Sequence, residues 1–105
     1  MDEYARLTGP EVPAGDMVRR SWAATVDALP VETRITGKVA SRRPFEIFIR
    51  IEGLPDALGL AEITAMPLGM ELPARGATVT GVVYWLDARN HQVRVRLDEW
   101  QADDE

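Results

Sequence analysis

The sequence predicts a mainly β fold in which five strands close into a barrel after one N-terminal α-helix. Its 105 residues suffice for one domain with a modest core and are too few for two ordinary domains. Five β-rich segments lie within about 65 residues, with turn residues between them. A flat sheet of that size would leave two edges unpaired, whereas closing the sheet removes both edges. A closed barrel is therefore the expected architecture.

An amphipathic helix is predicted over residues 16–29. Asp16 can cap its first turn, and Pro30 ends it. We expect this helix to pack on the barrel and to cover one open end. Residues 1–15 contain Gly and Pro without an apolar period, so we expect a flexible arm there. Within the helix, apolar side chains recur at spacings of four, four and three residues, which places them on one face: Val18, Trp22, Val26 and Leu29.

Beyond the helix the apolar period changes to two, which is typical of strands. Ile35, Gly37 and Val39 alternate with polar residues, and Gly37 in mid-strand indicates a bend or a close approach of two backbones, as at a barrel corner. In the last strand the two valines and Leu97 are expected to point inward and the arginines outward. The predicted strands cover residues 33–39, 45–52, 59–63, 78–86 and 91–97, within a barrel at 31–98 that an acidic tail follows at 99–105.

The charge of the chain is distributed unevenly along its length. The formal net charge is −5, which argues against nucleic acid because phosphate binding rests on Lys and Arg. However, residues 33–97 hold nine basic and six acidic residues, so the middle of the chain is basic. Eleven of the twelve basic residues are Arg, a side chain suited to phosphate, to bases and to carboxylates.

Several chemistries are disfavoured by the residues present. The absence of Cys excludes a disulfide framework, a thiol nucleophile and a cysteine-ligated metal. The single histidine, His91, falls in a predicted hairpin loop, and neither Ser21 nor Ser41 lies in a nucleophile elbow. We therefore expect no catalysis, no metal and no cofactor. Residues 1–4 contain no basic leader, and the longest strong apolar run, 82–86, is five residues, so we expect a cytoplasmic location without membrane contact.

Five short segments, in order, resemble the S-one RNA-binding domain, an OB-fold module named after a ribosomal small-subunit protein. The likeness runs over residues 34–98, about two thirds of the chain. The segments are ITGKV at 35–39, PFEIFI at 44–49, GLAEI at 59–63, GATV at 76–79 and VRVRL at 93–97. The resemblance implies an OB-type barrel with an RNA-facing surface.

The resemblance also implies where that surface lies. Phe45 and Phe48 stand at two aromatic positions of the family, where a ring can stack on an unstacked base. Asp87 and Arg94 fit an acidic and a basic position around the last hairpin, if its turn is longer by two residues. Glu62 replaces a histidine of the family, and Glu46 replaces the small residue between the aromatics. These two carboxylates depart from an RNA-binding pattern because they repel phosphate.

The residues themselves refine this expectation. Phe45 and Phe48 are three apart, so they face opposite sides of an unbulged strand and only one is expected in the core. Trp85 is expected in the barrel core, Trp22 in the helix interface, and Trp100 as a ring that shields a strand end or anchors a partner. The basic residues expected beside the aromatics are Lys38, Arg42, Arg43, Arg94 and Arg96.

Two functions remain as hypotheses. The first is a non-catalytic module that binds single-stranded RNA with weak sequence preference. The second is a protein–protein interaction module, such as an immunity, inhibitor or regulatory protein, that has lost RNA binding and meets a basic protein partner. Glu46, Glu62 and the acidic ends favour the second, because an acidic surface suits such a partner. The fold alone does not choose between them.

Overall fold

The computed structural model describes residues 15–67 and 69–100, and within them five strands form a closed barrel. Going round the barrel, the strand order is β1-β2-β3-β5-β4, and β4 pairs again with β1. Neighbouring strands are antiparallel except β3 and β5, which are parallel. The predicted closed five-stranded barrel with an N-terminal helix is thus confirmed. The strands are β1 (Arg34–Arg43), β2 (Glu46–Ile51), β3 (Leu58–Glu62), β4 (Thr78–Asp87) and β5 (Gln92–Leu97).

The barrel interior is filled by apolar side chains that alternate along the strands, except where the register of β1 and of β4 shifts. In β5, the two valines and Leu97 point inward, as the alternation predicts. In β1, Ile35 and Val39 also point inward as predicted. β1 is longer than predicted because its register against β2 shifts between Val39 and Ser41, which interrupts the alternation without ending the strand. The fully buried interior residues include Val39, Ile47, Ile49, Val83, Val93, Val95 and Leu97. No helix in the described ranges is long and apolar enough to span a bilayer.

Two glycines permit the strands to pass close to each other. A Cβ atom on Gly37 would lie 2.5 Å from the carbonyl oxygen of Arg50, and one on Gly81 would lie 2.5 Å from the carbonyl oxygen of Arg96. Both distances are shorter than any ordinary contact of a Cβ atom, so a side chain at either position requires the strands to move apart. The close approach that the sequence predicts at Gly37 is confirmed.

The predicted N-terminal helix is interrupted at Ser21. α1 (Gly15–Arg20) and α2 (Trp22–Ala28) are joined there, and Ser21 has φ −92° and ψ 4°, outside the range of a regular helix. Its hydroxyl donates to Asp56 Oδ2 at 3.3 Å, which ties the junction to the loop after β2. The expected arm at 1–15 lies outside the described residues apart from Gly15, and so do residues 101–105 of the expected tail.

The two helical segments cover different parts of the barrel. In α2, Trp22 packs against the main core and its ring lies 5.5 Å, edge to face, from the ring of His91 in the β4–β5 hairpin. Leu29, just after α2, is buried in the same core. Val18 of α1 instead joins a second apolar cluster outside the barrel. Both segments thus contribute apolar side chains that pack against the barrel, and the expected covering of one open end stays a prediction.

A short 3-10 turn after β5, Asp98–Trp100, closes the chain onto the barrel. Trp100 is 2% exposed and belongs to the main core, so the ring folds back onto the strand ends as the first of its two expected roles requires. The Asp98 carboxylate accepts hydrogen bonds from Thr80 Oγ1 at 2.8 Å and from the Arg34 guanidinium. These contacts link the turn to β4 and β1, the two strands whose pairing closes the barrel.

Substituting Gly37→Ala is expected to lower the free energy of unfolding by about 1–3 kcal/mol, because the new methyl group meets a backbone carbonyl and not a flexible side chain. Urea denaturation at neutral pH measures the change. Gly53→Asn is the matched control, since Gly53 has nothing within 4 Å of its Cβ position and its φ of 85° is one that Asn accepts. Equal stability of the two variants would contradict the close approach.

The contacts of Asp98 predict a pH-dependent contribution to stability. The hydrogen bonds from Thr80 and Arg34 hold the pKa of Asp98 below its usual range. A carboxylate whose pKa is lowered in the folded state stabilises the fold at pH values above its pKa in the unfolded state. This stabilisation is lost as the pH falls through the pKa of the folded state. Asp98→Asn should therefore lower the free energy of unfolding by about 1 kcal/mol at pH 7, and by progressively less below about pH 4. Thermal unfolding of both proteins from pH 7 to pH 2 measures this, and a difference that persists at pH 2 would contradict it.

Candidate nucleic-acid interface

Outward-facing side chains of neighbouring strands stand side by side on the barrel. The register pairs Ser41 with Phe48, Phe48 with Leu60, Leu60 with Arg94, and Arg94 with Trp85. We call these five residues the outer row, since they cross all five strands on the outside of the barrel. The outer row contains two of the positions that the resemblance singles out, Phe48 and Arg94.

Phe48 faces out of the barrel and is nevertheless fully buried. Its two chain neighbours point into the main core, and its own ring packs with Leu58, Leu60 and Val18 in the second apolar cluster. Val18 comes from α1, so α1 lies over this part of the outer row. The Phe48 ring is thus covered by a helix. The sequence predicts only two places for it, the barrel core or the solvent-exposed surface.

Phe45 is the exposed member of the aromatic pair. It lies in the turn between β1 and β2, and its side chain is 73% exposed. The Ile63 N–H donates to the Phe45 carbonyl oxygen at 2.8 Å, which holds the turn beside the end of β3, next to Glu62. The ring therefore stands in solvent at the edge of the outer face, on a backbone that is fixed.

The structure brings together Glu62, Asp87 and Arg94, three positions that the resemblance connects with RNA. One Arg94 Nη contacts the Glu62 carboxylate, and the other lies 3.3 Å from Asp87 Oδ2. The Arg94 side chain is 13% exposed. Burial lowers the pKa of Arg94, but the hydrogen bond to Glu62 and the charges of Glu62, Tyr84 and Asp87 together raise the pKa above its usual value. The guanidinium is therefore permanently charged and is held between two carboxylates.

Asp87 closes the β4–β5 hairpin as well as binding Arg94. Its carboxylate accepts hydrogen bonds from the backbone N–H groups of Arg89 and Asn90, each at 3.2 Å, and from the Asn90 side chain at 3.0 Å. Burial raises the pKa of Asp87, but these hydrogen bonds and the charge of Arg94 more than compensate and lower it. Asp87 is thus an ionised residue that orients Arg94 and shapes the turn.

Trp85 lies outside the barrel, so the expectation that it occupies the core was wrong. The register between β4 and β5 shifts between Val83 and Trp85. At such a bulge two residues of one strand oppose one residue of the other, which reverses the alternation. Val83 still points inward, but Trp85 turns outward opposite Arg94 and is 51% exposed. The Arg94 guanidinium lies 5.3 Å from the centre of the Trp85 ring, within the range of a cation–π contact.

The remaining predicted cations lie at different distances from these rings. Arg43 lies 6.0 Å from the buried Phe48 ring and 3.7 Å from the Glu46 carboxylate. Arg96 is exposed and stacks on Tyr84, 4.9 Å from the ring centre. Arg42 is exposed near the end of β1, whereas Lys38 lies further along β1, opposite Arg50.

Sequence reasoning missed Trp85 and Tyr84 as outward residues of interest. A signal for both was present, since residues 82–86 form an apolar run without alternation, as is found where a bulge reverses the faces of a strand. Within 15–67 and 69–100, no group of three or more His, Asp or Glu side chains is placed to bind a metal ion.

Comparison with known proteins relates this geometry to solved structures only. No protein-family model matches the sequence, and no curated protein matches it. Among solved structures, the apo form of Mycoplasma genitalium RNase R is similar with a TM-score of 0.63 and 15% identity, over 74% of this chain and 15% of that one. GSP13 from Bacillus subtilis has a TM-score of 0.57 and 20% identity, over 73% of this chain and 62% of that one.

A third similar structure is the a/eIF2alpha–aDim2p–rRNA complex from Pyrococcus horikoshii OT3, with a TM-score of 0.54 and 15% identity, over 64% of this chain and 43% of the matched chain. This chain spans less than two thirds of the length of each of these three proteins. At such identities the likeness establishes the fold. That fold is a closed five-stranded barrel of the OB type, the architecture that the resemblance implies.

Proposed function

We propose that this chain is a non-catalytic RNA-binding module that holds single-stranded RNA with weak sequence preference. The observation that carries the proposal is a set of adjacent outward residues on the barrel: Phe45, Glu62, Arg94 and Trp85. We call this set the ring strip. It has one exposed ring at the β1–β2 turn, a second on β4, and the Glu62–Arg94 ion pair between them.

The two exposed rings suit unstacked bases. An aromatic side chain that stacks on a base contributes on the order of 1–3 kcal/mol, and every base has a π-face, so such binding tolerates many sequences. Arg94 lies over Trp85, and a guanidinium held in this way keeps its neighbouring ring in one orientation. Duplex regions do not offer free base faces, which is why the proposal names single strands.

Phosphate attraction in this proposal comes from the periphery of the ring strip. Arg42 and Arg96 are exposed, and in the described part of the chain no carboxylate lies within 4 Å of either guanidinium. Arg94 itself is neutralised by Glu62 and Asp87. With few available cations, we expect modest affinity that weakens as salt is added, with a shallow slope of about −0.7 in log K against log salt for each phosphate contacted.

The similar solved structures support the proposal through what their names state. One is a ribonuclease, and another is a complex that contains rRNA. We extend an RNA partner to this chain on that basis together with the ring strip. Phe48 takes no part in stacking here, because it is fully buried under α1.

A protein–protein interaction module is the second candidate, and one observation favours it. Glu46 and Glu62 are direct cross-strand neighbours on β2 and β3, so two carboxylates lie side by side at the edge of the ring strip. Each already has an arginine within 4 Å, Arg43 for Glu46 and Arg94 for Glu62. A pair of neighbouring carboxylates suits a basic protein partner through complementary charge. This candidate predicts that substituting Glu46→Gln weakens partner binding, whereas the same change should strengthen RNA binding.

The two exposed rings should affect RNA binding far more than stability. Phe45→Ala and Trp85→Ala are each expected to weaken binding of a fluorescently labelled single-stranded RNA by about 5- to 150-fold, the equivalent of losing one stacked base. Anisotropy titrations at two salt concentrations measure affinity and its salt dependence. Val31→Ala is the control, since Val31 is another exposed apolar residue, 50% exposed and placed before β1.

Phe48→Ala should behave in the opposite way, lowering the free energy of unfolding by about 3–5 kcal/mol because a fully buried ring is removed. Unchanged RNA affinity in both exposed-ring variants would reject the proposal. Binding that does not weaken with salt would reject the part assigned to the peripheral arginines.

A further inference from the structure

A cleft lies on the outside of β1 and β2, away from the ring strip. Its volume is about 360 Å³, which is enough for a small ligand group. The cleft is lined by Thr36, Lys38 and Thr78 on one side and by Arg50, Glu52 and Gly53 on the other. Arg50 in its lining is two residues along β2 from Phe48, about 6–7 Å by the rise of a strand, and α1 covers Phe48.

Two cations face each other in this cleft. Lys38 and Arg50 are direct cross-strand neighbours, and both are exposed. Like charges directly opposite each other destabilise a sheet. In residues 15–67 and 69–100, no carboxylate lies within 4 Å of the charged nitrogens of either side chain.

This like-charge pairing is not shared by the other outward arginines of the barrel. Arg34, Arg43 and Arg94 are each held by at least one carboxylate. Arg42 and Arg96 have no carboxylate of the described residues within 4 Å, but each lies opposite an apolar residue and not opposite a cation. Lys38 and Arg50 thus keep an unfavourable pairing that a single substitution would remove. A bound anion between the two side chains would convert that repulsion into attraction.

The rest of the cleft suits a phosphate group. Thr78 is the neighbour of Lys38 on β4, and Thr36 lies on the same outer face of β1, so two hydroxyl donors flank the ammonium group. A guanidinium, an ammonium group and hydroxyls together match the acceptor oxygens of a phosphate. Glu52 at the rim leaves the cleft with one net positive charge, which favours a single phosphate group over a polyphosphate.

We propose that the Lys38–Arg50 cleft is a phosphate-binding site separate from the ring strip. Its ligand is a phosphate group that belongs either to a free phosphate ester or to the backbone of a nucleic-acid strand. The site does not depend on the proposed function, since no residue of the ring strip lines the cleft.

The test uses the full chain labelled with nitrogen-15 and titrated with inorganic phosphate at constant ionic strength. The amide resonances of Lys38, Arg50 and Thr78 should shift and saturate. Lys38→Gln/Arg50→Gln should weaken this binding at least tenfold. Arg19→Gln/Arg89→Gln, which removes two exposed cations elsewhere, should leave it unchanged.

Two further titrations identify the source of the phosphate. Equal affinity for uridine monophosphate and for inorganic phosphate would assign a free phosphate group. At least tenfold tighter binding of a short single-stranded RNA that depends on Lys38 and Arg50 would assign the nucleic-acid backbone. Phe45→Ala should retain the phosphate response in either case, so failure of the RNA proposal and failure of this site are distinguishable.

Two results would overturn the proposal. One is a response that spreads over all exposed arginines without saturating, and the other is an unchanged response in the Lys38→Gln/Arg50→Gln variant. Thermal unfolding in sodium chloride provides the folding control. The double variant should unfold at the same temperature as the original chain or higher, because the repulsion between the two cations has been removed.

Discussion

Close passage of backbones in the barrel wall is the constraint on which the other features depend. Gly37 and Gly81 allow a carbonyl group of the neighbouring strand to lie where a side chain would otherwise stand. The barrel can then curve tightly enough to close around an interior of aliphatic side chains. Since that interior has no place for charge, the charged residues of all five strands lie outside, and the strand register decides which of them become neighbours.

Register also explains why the outer face has parts with different properties. The pairing places Arg94 beside Trp85 and within reach of Glu62 and Asp87, which gives a compact ion-pair network. A few positions away, Lys38 and Arg50 face each other without such compensation. α1 covers the apolar part of the surface at Phe48. Neutral, cationic and covered areas therefore arise from one sheet because each pair of strands brings different residues together.

Most of the fold could be predicted from the sequence, because a period of two in five segments directly reports which residues face a common core. The outward direction of Arg94 and Arg96 and the close approach at Gly37 follow from the same reasoning.

Trp85 could not be placed, because a bulge reverses the faces of a strand and its position depends on the partner strand. Phe48 was misjudged for another reason. Alternation tells whether a side chain points out of the sheet, but not whether a helix from elsewhere in the chain lies over it. The ion pair of Arg94 with Glu62 likewise depends on a parallel neighbouring strand that is distant in sequence.

The burial of Trp100 has a consequence for where this domain ends. Family likeness stops at residue 98, yet the indole two positions later fills space among the strand ends and is 2% exposed. A fragment trimmed to the region of likeness would contain every strand and still have a hollow core, with a penalty comparable to about 3–5 kcal/mol for removing a large aromatic side chain. The unit that folds is therefore longer than the unit recognised by similarity, and expression fragments should retain residues 98–100.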